Sequence, residues 1–152
     1  LNINLSSGIE LNNKLLIIFP LDEKSFRVAA YSFRKLVDYN NSQMYTLLIN
    51  EDFKNLFYFN SNQVIYVKFN KKKESFLYNE DLDSIIFDLI INLNINEYFE
   101  MYKLIGNINC KYKVGIKSVI SNKFYNIEYD IGDDGTTEGA YQSIKLLLGY
   151  NK

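Results

Sequence analysis

Asp22, Glu23 and Lys24 lie in the stretch KLLIIFPLDEKSFRVAAYSFRKLVD, between an apolar run and an amphipathic one. A carboxylate placed just beyond a buried strand can take a proton from a substrate hydroxyl. In many α/β enzymes a loop at this place holds a phosphate or begins the chemistry. This loop, residues 20–25, contains no glycine, so its backbone is poorly suited to close approach by a ligand. Four more polar residues follow later apolar runs: Asn50, Asn92, Asn94 and Lys117. Side chains of these types can order a hydroxylated or anionic substrate at a shared crevice. Asp22 is the candidate base, and Lys24, Asn92, Asn94 and Lys117 are the candidate substrate contacts.

Other chemistries are excluded by what the chain lacks. It has no histidine, which removes the usual general base and every Ser-His or Cys-His pair. Its one cysteine, Cys110, cannot form an intrachain disulfide and is too little for a zinc site. A free, buried thiol fits a reducing compartment, so the expected location is cytoplasmic. No glycine-rich dinucleotide fingerprint follows the first strand, so no cofactor is expected. The acids of the Gly132–Gly135 stretch read as a turn before the last helix, and Asp81 and Asp83 as helix-start acids. No metal-ligand spacing appears.

The whole chain sets further bounds. With 152 residues and 47% hydrophobic content it suits one domain with a real core. Its net charge of -1 argues against a general nucleic-acid binder, which needs a basic surface. The exception, Lys71-Lys72-Lys73, reads as a solvated turn. No apolar run is long enough to span a membrane. Heavy use of Asn, Ile, Lys and Tyr, with only Arg27 and Arg34 as arginines, points to an AT-rich genome.

The elements that must position these residues alternate. Residues 1–13 read as a polar amino-terminal arm or leader, and residues 14–152 as one domain. Residues 15–19 are continuously apolar, as in a central strand covered on both faces. Phe26, Ala29, Ala30, Phe33, Leu36 and Val37 then give a helix, capped by Asp22 or Ser25. Further strands are expected over 44–49, 64–69, 87–93 and 112–116, with an edge strand over 124–131. Helices are expected over 52–59, 97–108 and 136–148, and a helical turn or two over 79–85. Strands alternating with helices predict an α/β fold: a Rossmann-like three-layer α/β/α domain with a mainly parallel sheet. The simplest strand order is 3-2-1-4-5, plus a possible edge strand. Its crevice lies at the carboxyl ends of the first and fourth strands, where residues 20–24, Asn50, Asn92, Asn94 and Lys117 fall.

The motifs KLLIIFPLDEKSFRVAAYSFRKL, FDLIINLN, CKYKVGIKS and FYNIEYDI, and a last helix ending LLLGY, occur in this order. In order and spacing they resemble the amino-terminal half of family 9 glycosyltransferases, the heptosyltransferase-like enzymes of the GT-B fold. The resemblance covers nearly all of residues 14–149. It implies that Asp22 matches the acidic base acting on the acceptor hydroxyl, with Asn92 and Asn94 ordering the acceptor. The departures concern function. Pro20 and Leu21 replace the family's arginine, the following glycine and aspartate are missing, and Asn92 stands where the family strand often has aspartate.

In that family a second, carboxyl-terminal domain binds the nucleotide-sugar donor, and this chain is expected to stop where that domain would begin. Glycosyl transfer needs both substrates aligned. Two expectations follow. One is a degenerate glycosyltransferase-like domain, non-catalytic alone, serving as an interaction or structural subunit, with a protein partner or a homo-oligomer. Its 13 Tyr and 11 Phe exceed what one core needs and suit an interface. The other is the acceptor-binding half of an active enzyme, with a nucleotide-sugar bound only if a second domain exists.

Overall fold

A computed structural model of the chain describes residues 14–35, 45–57, 64–78, 82–131 and 135–147. Seven strands form one sheet: β1 Leu15–Ile18, β2 Tyr45–Asn50, β3 Val64–Asn70, β4 Ser75–Leu77, β5 Phe87–Asn92, β6 Cys110–Ile116 and β7 Ile127–Tyr129. Their spatial order is β4-β3-β2-β1-β5-β6-β7. All neighbours run parallel except the β3–β4 hairpin. Three α-helices flank the sheet: α1 Glu23–Ser32, α2 Phe99–Asn107 and α3 Thr137–Leu147.

This is a Rossmann-like α/β fold. In the strand numbering of the sequence reading, β3-β2-β1-β5-β6 is the expected 3-2-1-4-5 order, and β7 is the expected edge strand.

The side-chain alternation of β1 builds both layers. Leu15 and Ile17 pack with Phe26 and Ala29 of α1, with Phe33 just after it, and with Ala140, Tyr141 and Ile144 of α3. Leu16 and Ile18 pack on the other face with Met101, Leu104 and Ile105 of α2. A strand buried on both faces must be apolar throughout, which is why LLII shows no alternation. The connections leaving β1 and β5 lie on opposite faces, as right-handed crossovers require when the sheet grows outward in both directions. The switch point therefore lies between β1 and β5.

Several expected elements take a different form. α1 ends at Ser32, with Phe33 at its carboxyl cap, and residues 36–37 lie outside the described residues. In place of the helix expected over 52–59 the described residues hold one 3-10 turn, Glu51–Phe53, whose start the Asn50 side chain caps by accepting from Asp52 N–H, and residues 58–59 lie outside the described residues. Leu82–Ser84 is one 3-10 turn. The charged stretch after β3 is a hairpin turn leading into β4, a strand absent from the sequence reading. Its Asn70 side chain accepts from the N–H groups of Lys72 and Lys73 and fixes the bend. Glu74 closes the turn at φ 50°. That is the left-handed region, which glycine adopts most easily. The arm expected over 1–13, and Asp81, Gly132, Asp133 and Asp134, lie outside the described residues. No described helix is long and apolar enough to cross a membrane.

Candidate functional site

Pro20 has no N–H to continue a ladder, so the chain leaves the sheet there. It is held at the next peptide. Asn94 Oδ1 accepts from Leu21 N–H at 2.9 Å, and Asn50 Nδ2 donates to Leu21 C=O at 2.9 Å. Asn50 ends β2 and Asn94 lies two residues past β5, on either side of β1, so they grip both polar groups of one residue across the switch point. Asn94 Nδ2 also donates to Asn92 Oδ1 at 2.8 Å, and Asn94 N–H reaches the same oxygen at 3.0 Å. Asn92 Nδ2 donates to the Tyr125 hydroxyl at 2.9 Å. All three asparagines are buried, at 2%, 5% and 1% exposure for Asn50, Asn92 and Asn94. Buried amides left without partners would be costly, and here their partners are protein groups.

Tyrosines close the network from below. Tyr129 donates to Asn92 C=O at 2.8 Å and Tyr141 to Leu93 C=O at 2.5 Å. Burial raises the ionisation of Tyr125, Tyr129 and Tyr141 above the ordinary tyrosine value, because the phenolate would lose its water. The Tyr125 ring packs against Gly115 of β6, where a Cβ would overlap the ring. The glycine of YKVGI thus admits an aromatic side chain. The space left among Asn92, Asn94, Tyr98, Tyr102 and Tyr125 is about 10 Å³. That is room for one water and no substrate.

Asp22 lies outside this network. Its Oδ2 accepts from Ser25 N–H at 3.0 Å, the N-cap of α1, and its Oδ1 receives Asn96 Nδ2 at 3.4 Å. It lines an open cleft of about 440 Å³ at the carboxyl ends of β1, β2 and β3, which Asn50 and, from the segment after β5, Asn96 and Tyr98 also line. Leu21, Phe53, Phe69 and Tyr98 form its apolar wall, and Asp22, Asp52, Glu74 and Lys71 its charged rim. Tyr98 is pushed above the ordinary tyrosine value, first by burial, with the negative charges of Asp22 and Glu74 adding to it. On the other side of the switch point, hydrogen bonds from Ser118 and Tyr102 hold the Glu97 carboxyl below its usual range.

The predicted residues therefore separate. Asn92 and Asn94 join Asn50 in the closed network. Asp22 faces the cleft. Lys24 is exposed on the first turn of α1, and Lys117 is exposed just beyond β6, its N–H bonded to Tyr129 C=O at 2.7 Å. Neither lysine lines the cleft or the small space. Sequence reasoning missed Asn96, Tyr98 and Tyr125 as site residues. A glycine inside a strand was the one available signal for Tyr125, since it marks a close approach. Among the described residues, no three His, Cys, Asp or Glu side chains are placed to hold a metal ion. Comparison with protein-family models, with curated proteins and with solved structures gave no match to this chain.

Proposed function

We propose that this chain is a glycosyltransferase-like domain of degenerate form, non-catalytic on its own, that acts as an interaction or structural subunit of a larger assembly. The observation that carries this reading is the grip of Asn50 and Asn94 on Leu21. In an open α/β sheet the ligand crevice lies at the switch point. In this chain the polar groups of Leu21, Asn50, Asn92 and Asn94 there are bonded to one another, and the open cleft beside them begins at Leu21 and Asn50. Exposed apolar side chains support the second half of the reading. Leu77, Phe99 and Val119 are 75%, 70% and 97% exposed. Leu77 shares the uncovered hairpin face with Tyr66, itself 42% exposed, and a partner seated there would cover both. Calorimetric titration with UDP-glucose tests the reading. No heat of binding is expected, and saturable binding with sugar transfer to an acceptor would overturn it.

A second reading has one observation in its favour. Asp22 opens onto a cleft of about 440 Å³ with an aromatic wall. A concave site of that kind suits a sugar acceptor. In that reading the chain is the acceptor-binding half of a family 9 glycosyltransferase and Asp22 is its base. Asp22→Asn would then abolish transfer and leave the fold intact. Unchanged transfer in the variant would remove Asp22 from the chemistry.

A further inference from the structure

The β3–β4 hairpin and the cleft beside it carry opposite charge. Lys68, Lys71, Lys72 and Lys73 are all exposed, and none makes an ion pair within the described residues. They line a groove of about 670 Å³ whose apolar parts are Phe69, Phe76 and Leu77. On the face bearing Tyr66, Lys68 and Leu77 the hairpin is uncovered, Tyr66 and Leu77 being 42% and 75% exposed. Immediately beside it, the cleft rim holds Asp22, Glu23, Asp52 and Glu74 against one cation, Lys71. Glu23 is occupied by Arg27 at 3.0 Å, while Asp22, Asp52 and Glu74 make no ion pair among the described residues. Lys71 lines both the groove and the cleft, so the two surfaces adjoin at one end of the sheet.

We infer that this end of the molecule is a self-complementary surface whose occupant is a second copy of the chain. Two adjoining patches of opposite sign, related by a twofold axis between them, face each other reciprocally. Lys72 and Lys73 of each hairpin then enter the carboxylate-rimmed cleft of the other copy, where Phe69, the half-buried part of its wall, meets the lysine stems. The uncovered Leu77 and Tyr66 are covered in the same step. Charge pairing of this kind sets register and partner choice more than raw affinity, so the association is salt-sensitive. The inference rests on the interaction-subunit reading and names its partner.

Sedimentation velocity of the whole chain tests it. The expected species has twice the 17.9 kDa mass of one chain. It forms at about 0.05 M salt, and self-association weakens about tenfold or more at about 0.5 M. Lys72→Glu with Lys73→Glu, and separately Asp52→Lys with Glu74→Lys, each give a monomer. An equimolar mixture of the two variants restores the dimer, because every reversed lysine then meets a reversed acid. A monomer under all conditions overturns the inference, as does a dimer that ignores both variants or a mixture that stays monomeric. A monomer that also fails to bind UDP-glucose removes only the homodimer. Sugar transfer by the chain would instead remove the reading beneath it.

Discussion

Asn94 accepts a hydrogen bond from the Leu21 peptide N–H at 2.9 Å, linking residues 73 apart in sequence across the two central strands. With Asn50 on the opposite strand, it turns the end of β1 into a fixed corner. The loop that follows is placed by two neighbours and a helix cap, with no glycine required.

Asn94→Ala should leave the buried Leu21 N–H without its acceptor and take a donor from Asn92. Its expected cost is roughly 2–3 kcal/mol, the penalty for orphaned buried polar groups. Urea unfolding measures it. A loss under about 0.5 kcal/mol would mean the corner is held by other contacts.

Gly115→Ala drives a methyl group into the Tyr125 ring, so the ring must move. Overpacking of this kind costs about 1–3 kcal/mol or more. Tyr125→Leu in the same chain should recover part of that loss, a coupling visible in a double-mutant cycle. Independent, additive effects would refute the contact.

Glu74→Gly removes a side chain from a left-handed position. It should raise stability by about 0.5–1 kcal/mol. The same change deletes one cleft carboxylate, so self-association should weaken as the fold strengthens. Thermal melts at fixed protein concentration, run beside sedimentation, separate the two effects.

Tyr125, Tyr129 and Tyr141 ionise above their ordinary value of 10.0 when folded. A group whose folded value is raised adds stability that is fully present below its unfolded value. That stability is lost as pH rises toward the folded value. Stability should therefore fall as pH climbs above about 10. Tyrosinate absorbance from these rings should appear together with the loss of helical circular dichroism. Full tyrosinate absorbance in a still-folded chain would contradict the buried network.

Glu97 works in the opposite direction. Its folded value is lowered, so its contribution is present above the unfolded value and is lost as pH falls through the folded one. Tyr102→Phe deletes one of the two hydrogen bonds behind that shift. The carboxyl resonance of Glu97, followed by NMR, should then titrate at higher pH. An unchanged titration would show that Tyr102 plays no part.

The central strands were legible because burial on both faces leaves apolar runs such as LLII and, between Asp88 and Asn92, LII. Their order followed from alternation with helices. β4 was not legible because it is three residues long, half-buried at best, and preceded by three lysines and a glutamate. The short turn after β2 was read as a longer helix because the spacing of Phe53, Leu56 and Phe57 matches one helical face. The asparagines were found by position, as polar residues at strand ends. Their bonding partners were not, since an amide facing a ligand and one gripping a backbone have the same spacing. Only burial and geometry separate them. The bonds of Tyr129 and Tyr141 had no local signal, since their hydroxyl partners on β5 and the residue after it are 37 and 48 residues away.

The closed corner at the switch point is the centre of this account, and amide hydrogen exchange at Leu21 tests it most directly. The account predicts protection equal to that of the β1 amides, unchanged by UDP-glucose. Fast exchange at Leu21, or protection that depends on the nucleotide-sugar, would show an open crevice and contradict it.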